Sequence, residues 1–142
     1  FSPALARRRD AALLAETKTA GPFNVLERLM LPSLGNAARK FAYGQASVDL
    51  ARVAIALERY RLAHGEFPES LGRLAPQFVE KIPHDIINGQ PLKYRRTDDG
   101  QFVLYSVGWN EKDDGGEIVL NKGEKPSVDI TQGDWVWQYP AK

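Results

Sequence analysis

Apolar residues return at spacings mostly of three and four between Asn36 and His64: Tyr43, Ala46, Leu50, Val53, Ala54, Leu57 and Tyr60. That spacing predicts an amphipathic helix with one face toward a core. Ser47 and Arg61 fall on the same face, the first small enough for its edge, the second able to lay its apolar stem there. Arg52, Glu58 and Arg59 lie off the stripe. At 1.5 Å per residue the helix is roughly 40 Å long, more than a small sheet can cover, so its N-terminal part is expected to overhang or to pack on the segment before it. Gly65 suits the left-handed residue that ends it. Upstream, Ala4 to Lys18 is a weakly amphipathic lead stopped by Ala20-Gly21-Pro22. Asn24 is placed to cap a short helix over Val25 to Leu31, which Pro32-Ser33 is expected to interrupt.

Beyond the glycine the period changes. Ser70 to Leu74 reads as a one- or two-turn helix, with another turn over Pro76 to Val79. Ile82-Pro83-His84-Asp85 and Asn88-Gly89-Gln90-Pro91 are turns. Leu92 to Arg96 and Gln101 to Ser106 alternate as strands joined by Thr97-Asp98-Asp99-Gly100, a hairpin turn. A third strand is expected near Trp135 to Tyr139, and Glu117 to Leu120 forms a short fourth. The fold class is therefore α+β, a long N-terminal helix packed on a small antiparallel sheet of three to four strands. Residues 1–35 form a helical lead and 36–142 the globular domain.

Composition narrows the chemistry. A chain of 142 residues suits one domain with a core. Nineteen basic against eighteen acidic residues give no global field to steer it toward nucleic acid, although basic residues gather early and acidic ones late. Without cysteine there are no disulfides, thiol nucleophiles or thiolate metal sites. No run approaches the roughly 18 consecutive apolar residues of a membrane helix. Arg7 to Arg9 is not followed by the apolar stretch of a signal peptide. The chain does not begin with Met and is expected to be a piece or processed product of a longer protein.

Taken in order, the pieces Tyr60 to Pro68, Leu71 and Leu74, Pro83-His84-Asp85, Asn88 to Pro91, Tyr105-Ser106-Val107-Gly108, Asp113 to Gly116, and Asp129-Ile130 with Trp135 form a recognisable series. Over roughly residues 50–137, with an insertion around Val119 to Lys125, the chain resembles the major pseudopilins of type II secretion systems. The resemblance implies a pilin-like fold, a non-enzymatic role in a secretion-type envelope assembly, partners that are other protein subunits, and a periplasmic or other extracytoplasmic place with a membrane tether outside these residues. Phe1 matches the start of a mature pilin, but Leu5 stands where that family has Glu and three arginines follow, so filament assembly through these residues is not expected. The alternatives are a binding module of a larger membrane-anchored envelope protein without filament assembly and, third, a hydrolase.

In pseudopilins the acidic loop binds calcium. The resemblance assigns side-chain oxygens here to Asn110, Asp113, Asp114 and Asp129, with the Val107 carbonyl behind them. Calcium takes six to eight such oxygens, and glycines let carbonyls turn inward. The residues by themselves read rather as a solvated acidic turn, since EF-hand spacing is absent.

Other chemistries have less behind them. His64 and His84 are the only histidines, without zinc-ligand spacing. His64 suits the negative end of the helix, and His84-Asp85 would need a serine brought near by the fold. Glu66 and Glu69 read as an exposed turn and the start of a short helix, rather than an acid–base pair. No Gly-x-Gly-x-x-Gly or Walker loop is present. Tyr94 and Phe102 read as core aromatics beside solvated Arg95 and Arg96 rather than as a single-strand-binding surface. Trp135 and Trp137 share a strand face that either anchors the sheet or meets a partner.

Overall fold

In the computed structural model of the chain, residues 25–123 and 126–137 are described, with side chains from residue 33 on. The lead over Ala4 to Lys18, its Gly21-Pro22 stop, the Asn24 cap, Phe1 and Leu5 lie outside the described residues, as does the chain after Trp137.

Helix α1 spans Val25–His64 without a break. The interruption expected at Pro32-Ser33 is absent. Proline removes one amide donor and costs about 3 kcal/mol in a helix interior, but here one missing bond sits within forty helical residues. The line drawn between residues 35 and 36 falls inside this helix. At about 60 Å it is half as long again as expected. Its C-terminal part carries the core: Ala42, Ala46, Leu50, Val53, Ala54 and Leu57 are buried. The helix ends where predicted, with Gly65 at φ +85° donating its amide to the Arg61 carbonyl at 2.7 Å.

A 3-10 helix, Leu71–Leu74, follows and drops Leu71 and Leu74 into the core. The Asn88-Gly89 turn then reverses the chain, with the Gly89 amide on the Asp85 carbonyl and the Gln90 amide on Asn88 Oδ1. Strands β1 (Lys93–Arg96) and β2 (Phe102–Ser106) pair antiparallel, Lys93 opposite Tyr105 and Arg96 opposite Phe102. Gly100, at φ +76°, closes their turn.

The remaining strands correct the single-sheet expectation. β3 (Ile118–Leu120) pairs not with the hairpin but with β4 (Val128–Gly133), an element not expected, while β5 (Trp135–Val136) lies along β2. The α+β class stands, with sheets of three and two strands in place of one. The separation is steric. Gly133, at φ +68°, brings its backbone so close to β3 that a Cβ would meet the Glu117 carbonyl and the Val119 side chain. Chain direction turns at that glycine, so the residues after it run along β2 instead.

Two buried clusters join helix to sheet. One holds Leu50, Val53, Leu57, Phe67, Leu74, Leu92 and Leu104, with Tyr60, Tyr94, Phe102 and Trp137 packed on it. The other holds Ala42, Ala46, Ile87, Val107 and Trp135, with Tyr43, Trp109 and Ile130 at its margin. Tyr43 meets Trp135 edge-on at 5.3 Å, a geometry favoured by ring quadrupoles. Trp135 thus anchors the sheet on the helix, one of the two roles read for it.

Candidate functional site

The acidic loop leaves the end of β2 and returns at β3. Its first turn depends on Gly108, at φ +69°, where a Cβ would overlap the Gly133 carbonyl. Its last depends on Gly116, at φ +87°, where a Cβ would press on the Val103 and Tyr105 side chains. Between them Glu111 adopts φ +60°, a left-handed position uncommon for a residue with a side chain.

Asp113 and Asp114 are each held by several donors. Asp113 accepts the Tyr105 hydroxyl at 2.9 Å and the Gly115 amide at 3.2 Å, and pairs with Lys93 at 3.0 Å. Those donors, the Lys93 ammonium foremost, hold its carboxyl below the ordinary value of 3.8. Asp114 pairs with Lys112 at 3.0 Å and accepts the Asn110 side-chain amide at 3.1 Å, and is lowered for the same reason. The Asn110 oxygen meanwhile accepts the Lys112 amide at 3.2 Å. Asp129 lies on β4, where it accepts the amide and hydroxyl of Thr131 at 2.8 and 2.6 Å. Tyr105 is itself pushed up to about 12, chiefly by burial and then by its bond to Asp113.

What fastens the loop is a residue the sequence reading missed. Asp134, fully buried, accepts the Gly116 amide at 2.6 Å and the Asp114 amide at 3.1 Å, while its own amide donates to the Glu117 carbonyl at 2.8 Å. Burial raises its carboxyl above 3.8, against the pull of the two amides. The available signal was Gly133-Asp134-Trp135: an acid between a turn glycine and a core tryptophan has little room to be solvated.

A second buried carboxylate pins the other side of β2. Asp85 accepts the Ser106 hydroxyl and the Ile87 amide, both at 2.9 Å, and the Val107 amide at 3.0 Å. A serine therefore does lie beside the His84-Asp85 pair, but its hydroxyl reaches Asp85 directly and His84 is exposed. His64 sits at the helix end, with Nδ1 3.0 Å from the Tyr60 carbonyl and its ring stacked on Tyr60.

Of the four residues assigned to calcium, Asn110, Asp113 and Asp114 share the loop, and Asp129 is engaged separately with Thr131. Among the described residues no three or more acidic or histidine side chains converge as a metal cage would. As arranged, Lys93 and Lys112 supply the counter-charge of Asp113 and Asp114. No family model matches the chain, and no curated protein or solved structure is significantly similar to it.

Proposed function

We propose that the chain is a pseudopilin-like structural and interaction domain of a secretion-type or other envelope assembly, working outside the cytoplasm on a membrane-tethered protein. The observation that carries this reading is convergence at one end of β2. The Asp85 turn, the Tyr105 to Gly108 strand end, the acidic glycine loop and the Asp134-Trp135 segment, scattered along the sequence, are joined there by direct hydrogen bonds. Two buried carboxylates spend their acceptors on backbone amides and a hydroxyl, which suits a rigid surface offered to another protein. The long helix supports the same reading, because at about 60 Å it is far longer than the two- to six-residue strands it packs against. Calcium enters only as a rival to the two lysines as the loop's counter-charge.

The localisation is tested by fusing a phosphatase that folds only in oxidising compartments to the C-terminus of the full-length protein. Activity in cells supports the reading, and a silent, stably expressed fusion removes it. The calcium question is separate. A thermal melt with calcium and with chelator, repeated on Asp113→Ala with Asp114→Ala, shows whether the ion displaces the lysines. A ligand at a hundred times its dissociation constant stabilises by about 2.7 kcal/mol, so the effect is visible if it exists.

A further inference from the structure

On helix α1, opposite the core face, five large apolar side chains stand in water at intervals of seven: Leu34, Phe41, Val48, Ile55 and Leu62, each between 54 and 76 % exposed. Isolated exposed apolar residues are ordinary. Five at one unbroken interval make a stripe about 42 Å long that drifts only about 20° around the helix per interval, the seam pattern of a coiled coil. Three residues after each large one comes the second seam position, held by Ala37, Gly44, Ala51 and Glu58. At Gly44 a Cβ would meet nothing within 4 Å. The seam thus alternates large and small along its length, except at Glu58.

From this face we infer that the chain forms a homodimer by pairing α1 with α1 of a second copy, antiparallel. Area is the first argument. The five side chains expose on the order of 600 Å² per copy, so pairing removes on the order of 1,200 Å², the lower edge of a stable specific interface. Shape is the second. Antiparallel packing sets the large position of one helix against the small position of the other, so Val48 and Ile55 enter the gaps left by Ala51 and Gly44. A parallel in-register pair would stack Phe41 on Phe41 and leave Gly44 opposite Gly44. Charge is the third. Glu58, paired with Arg61 at 2.9 Å within its own helix, would face another Glu58 in the parallel pair. In the antiparallel register that sets Val48 against Ala51, it comes level with Phe41 of the second copy, one residue from exposed Lys40.

The pairing requires only the helix face and is independent of the envelope reading. Its test is sedimentation velocity of the whole chain up to millimolar concentration. The expected result is a monomer–dimer equilibrium that Phe41→Ser with Ile55→Ser weakens at least about thirtyfold. Both positions are exposed, so an unchanged circular dichroism spectrum is expected to accompany the loss. Because the chain has no cysteine, orientation is read from single-cysteine variants. A mixture of Leu34→Cys and Leu62→Cys should form the mixed disulfide in preference to either self-linked product. A monomer at all concentrations, a dimer indifferent to the double substitution, or preferential self-linking of Leu34→Cys each overturns the proposal.

Discussion

The amide of Gly116 donates to the carboxylate of Asp134 at 2.6 Å, tying an exposed acidic loop to a fully buried acid eighteen residues later. The bond works because Gly116 has no Cβ. At φ +87° its backbone lies against Val103 and Tyr105, close enough for the amide to reach inward. Replacing Asp134 with Ala leaves the Gly116 and Asp114 amides without the acceptor that the buried carboxylate supplies. An unsatisfied buried donor costs about 1–3 kcal/mol, so Asp134→Ala should destabilise by about 2–4 kcal/mol in urea. Asp134→Asn, which retains one oxygen for both amides, should lose less. Hydrogen exchange at Gly116 should quicken in the Ala variant before global unfolding begins. Equal losses for the two variants would mean that the amides find another acceptor.

Acid should dissect the loop by sign. The carboxyls of Asp113, Asp114 and Asp129 are lowered in the folded chain. Their stabilising contributions are present above the unfolded value of 3.8 and vanish as pH falls through the folded values. Asp134 is raised and runs the other way. Its protonated form is favoured by folding, so its contribution declines as pH rises from 3.8 through its folded value. Urea midpoints between about pH 3 and pH 6 should therefore fall toward acid in the native chain. The fall should be shallower in Asp113→Asn and steeper in Asp134→Asn. Reversal of that order would show that the Lys93 and Tyr105 contacts to Asp113 contribute nothing in solution.

Gly108 and Gly100 offer a matched pair, since both have φ near +70° and differ only in surroundings. Around Gly100 a Cβ would meet nothing within 4 Å, so Gly100→Ala should cost only the left-handed backbone penalty, about 1–2 kcal/mol. At Gly108 the same methyl would overlap the Gly133 carbonyl, which is backbone and cannot rotate away. Gly108→Ala should exceed the Gly100 variant by at least about 2 kcal/mol and should loosen the β3–β4 pair, because Gly133 is its first rung. Similar midpoints for the two variants would show that the close approach of Gly108 to Gly133 is absent in solution.

What could be read from sequence is what periodicity and turn chemistry control. Leu50, Val53 and Leu57 were legible as core because helical spacing fixes a face, and Gly65 and the Asp99-Gly100 turn because their backbone geometry is local. Pro32 misled because proline signals a local cost, whereas helix continuity depends on the whole ladder around it. β4 was missed although Val128 and Ile130 alternate, because its partner β3, three residues long, was read as a fourth strand of the single sheet and called for no partner of its own. The division into two sheets follows from the backbone approach at Gly133, which no composition announces. In the site, Asn110 and Asp114 meet within the loop, as their nearness in sequence allows. Asp134 and Asp85 were not singled out as fasteners, because a carboxylate reads as surface until the amides that surround it are known.

Asp85 decides between architecture and chemistry on the far side of β2. It accepts from Ser106 Oγ, the Ile87 amide and the Val107 amide at once, so nearly all its lone pairs are committed inside the protein. A carboxylate serving a histidine–serine pair would instead hold the imidazole, and His84, the adjacent residue, is exposed. If Asp85 is the clasp between the Asn88-Gly89 turn and β2, Asp85→Ala should cost about 3–5 kcal/mol by leaving two amides and a hydroxyl unpaired. Ser106→Ala, which removes one of the three partners and leaves the carboxylate two amides, should cost about 1–2 kcal/mol. His84→Ala should stay within about 0.5 kcal/mol of the native chain, as exposed substitutions do. Urea denaturation of the three variants gives the ranking directly. A large loss on His84→Ala would mean that the imidazole, rather than the backbone amides, is what the carboxylate organises.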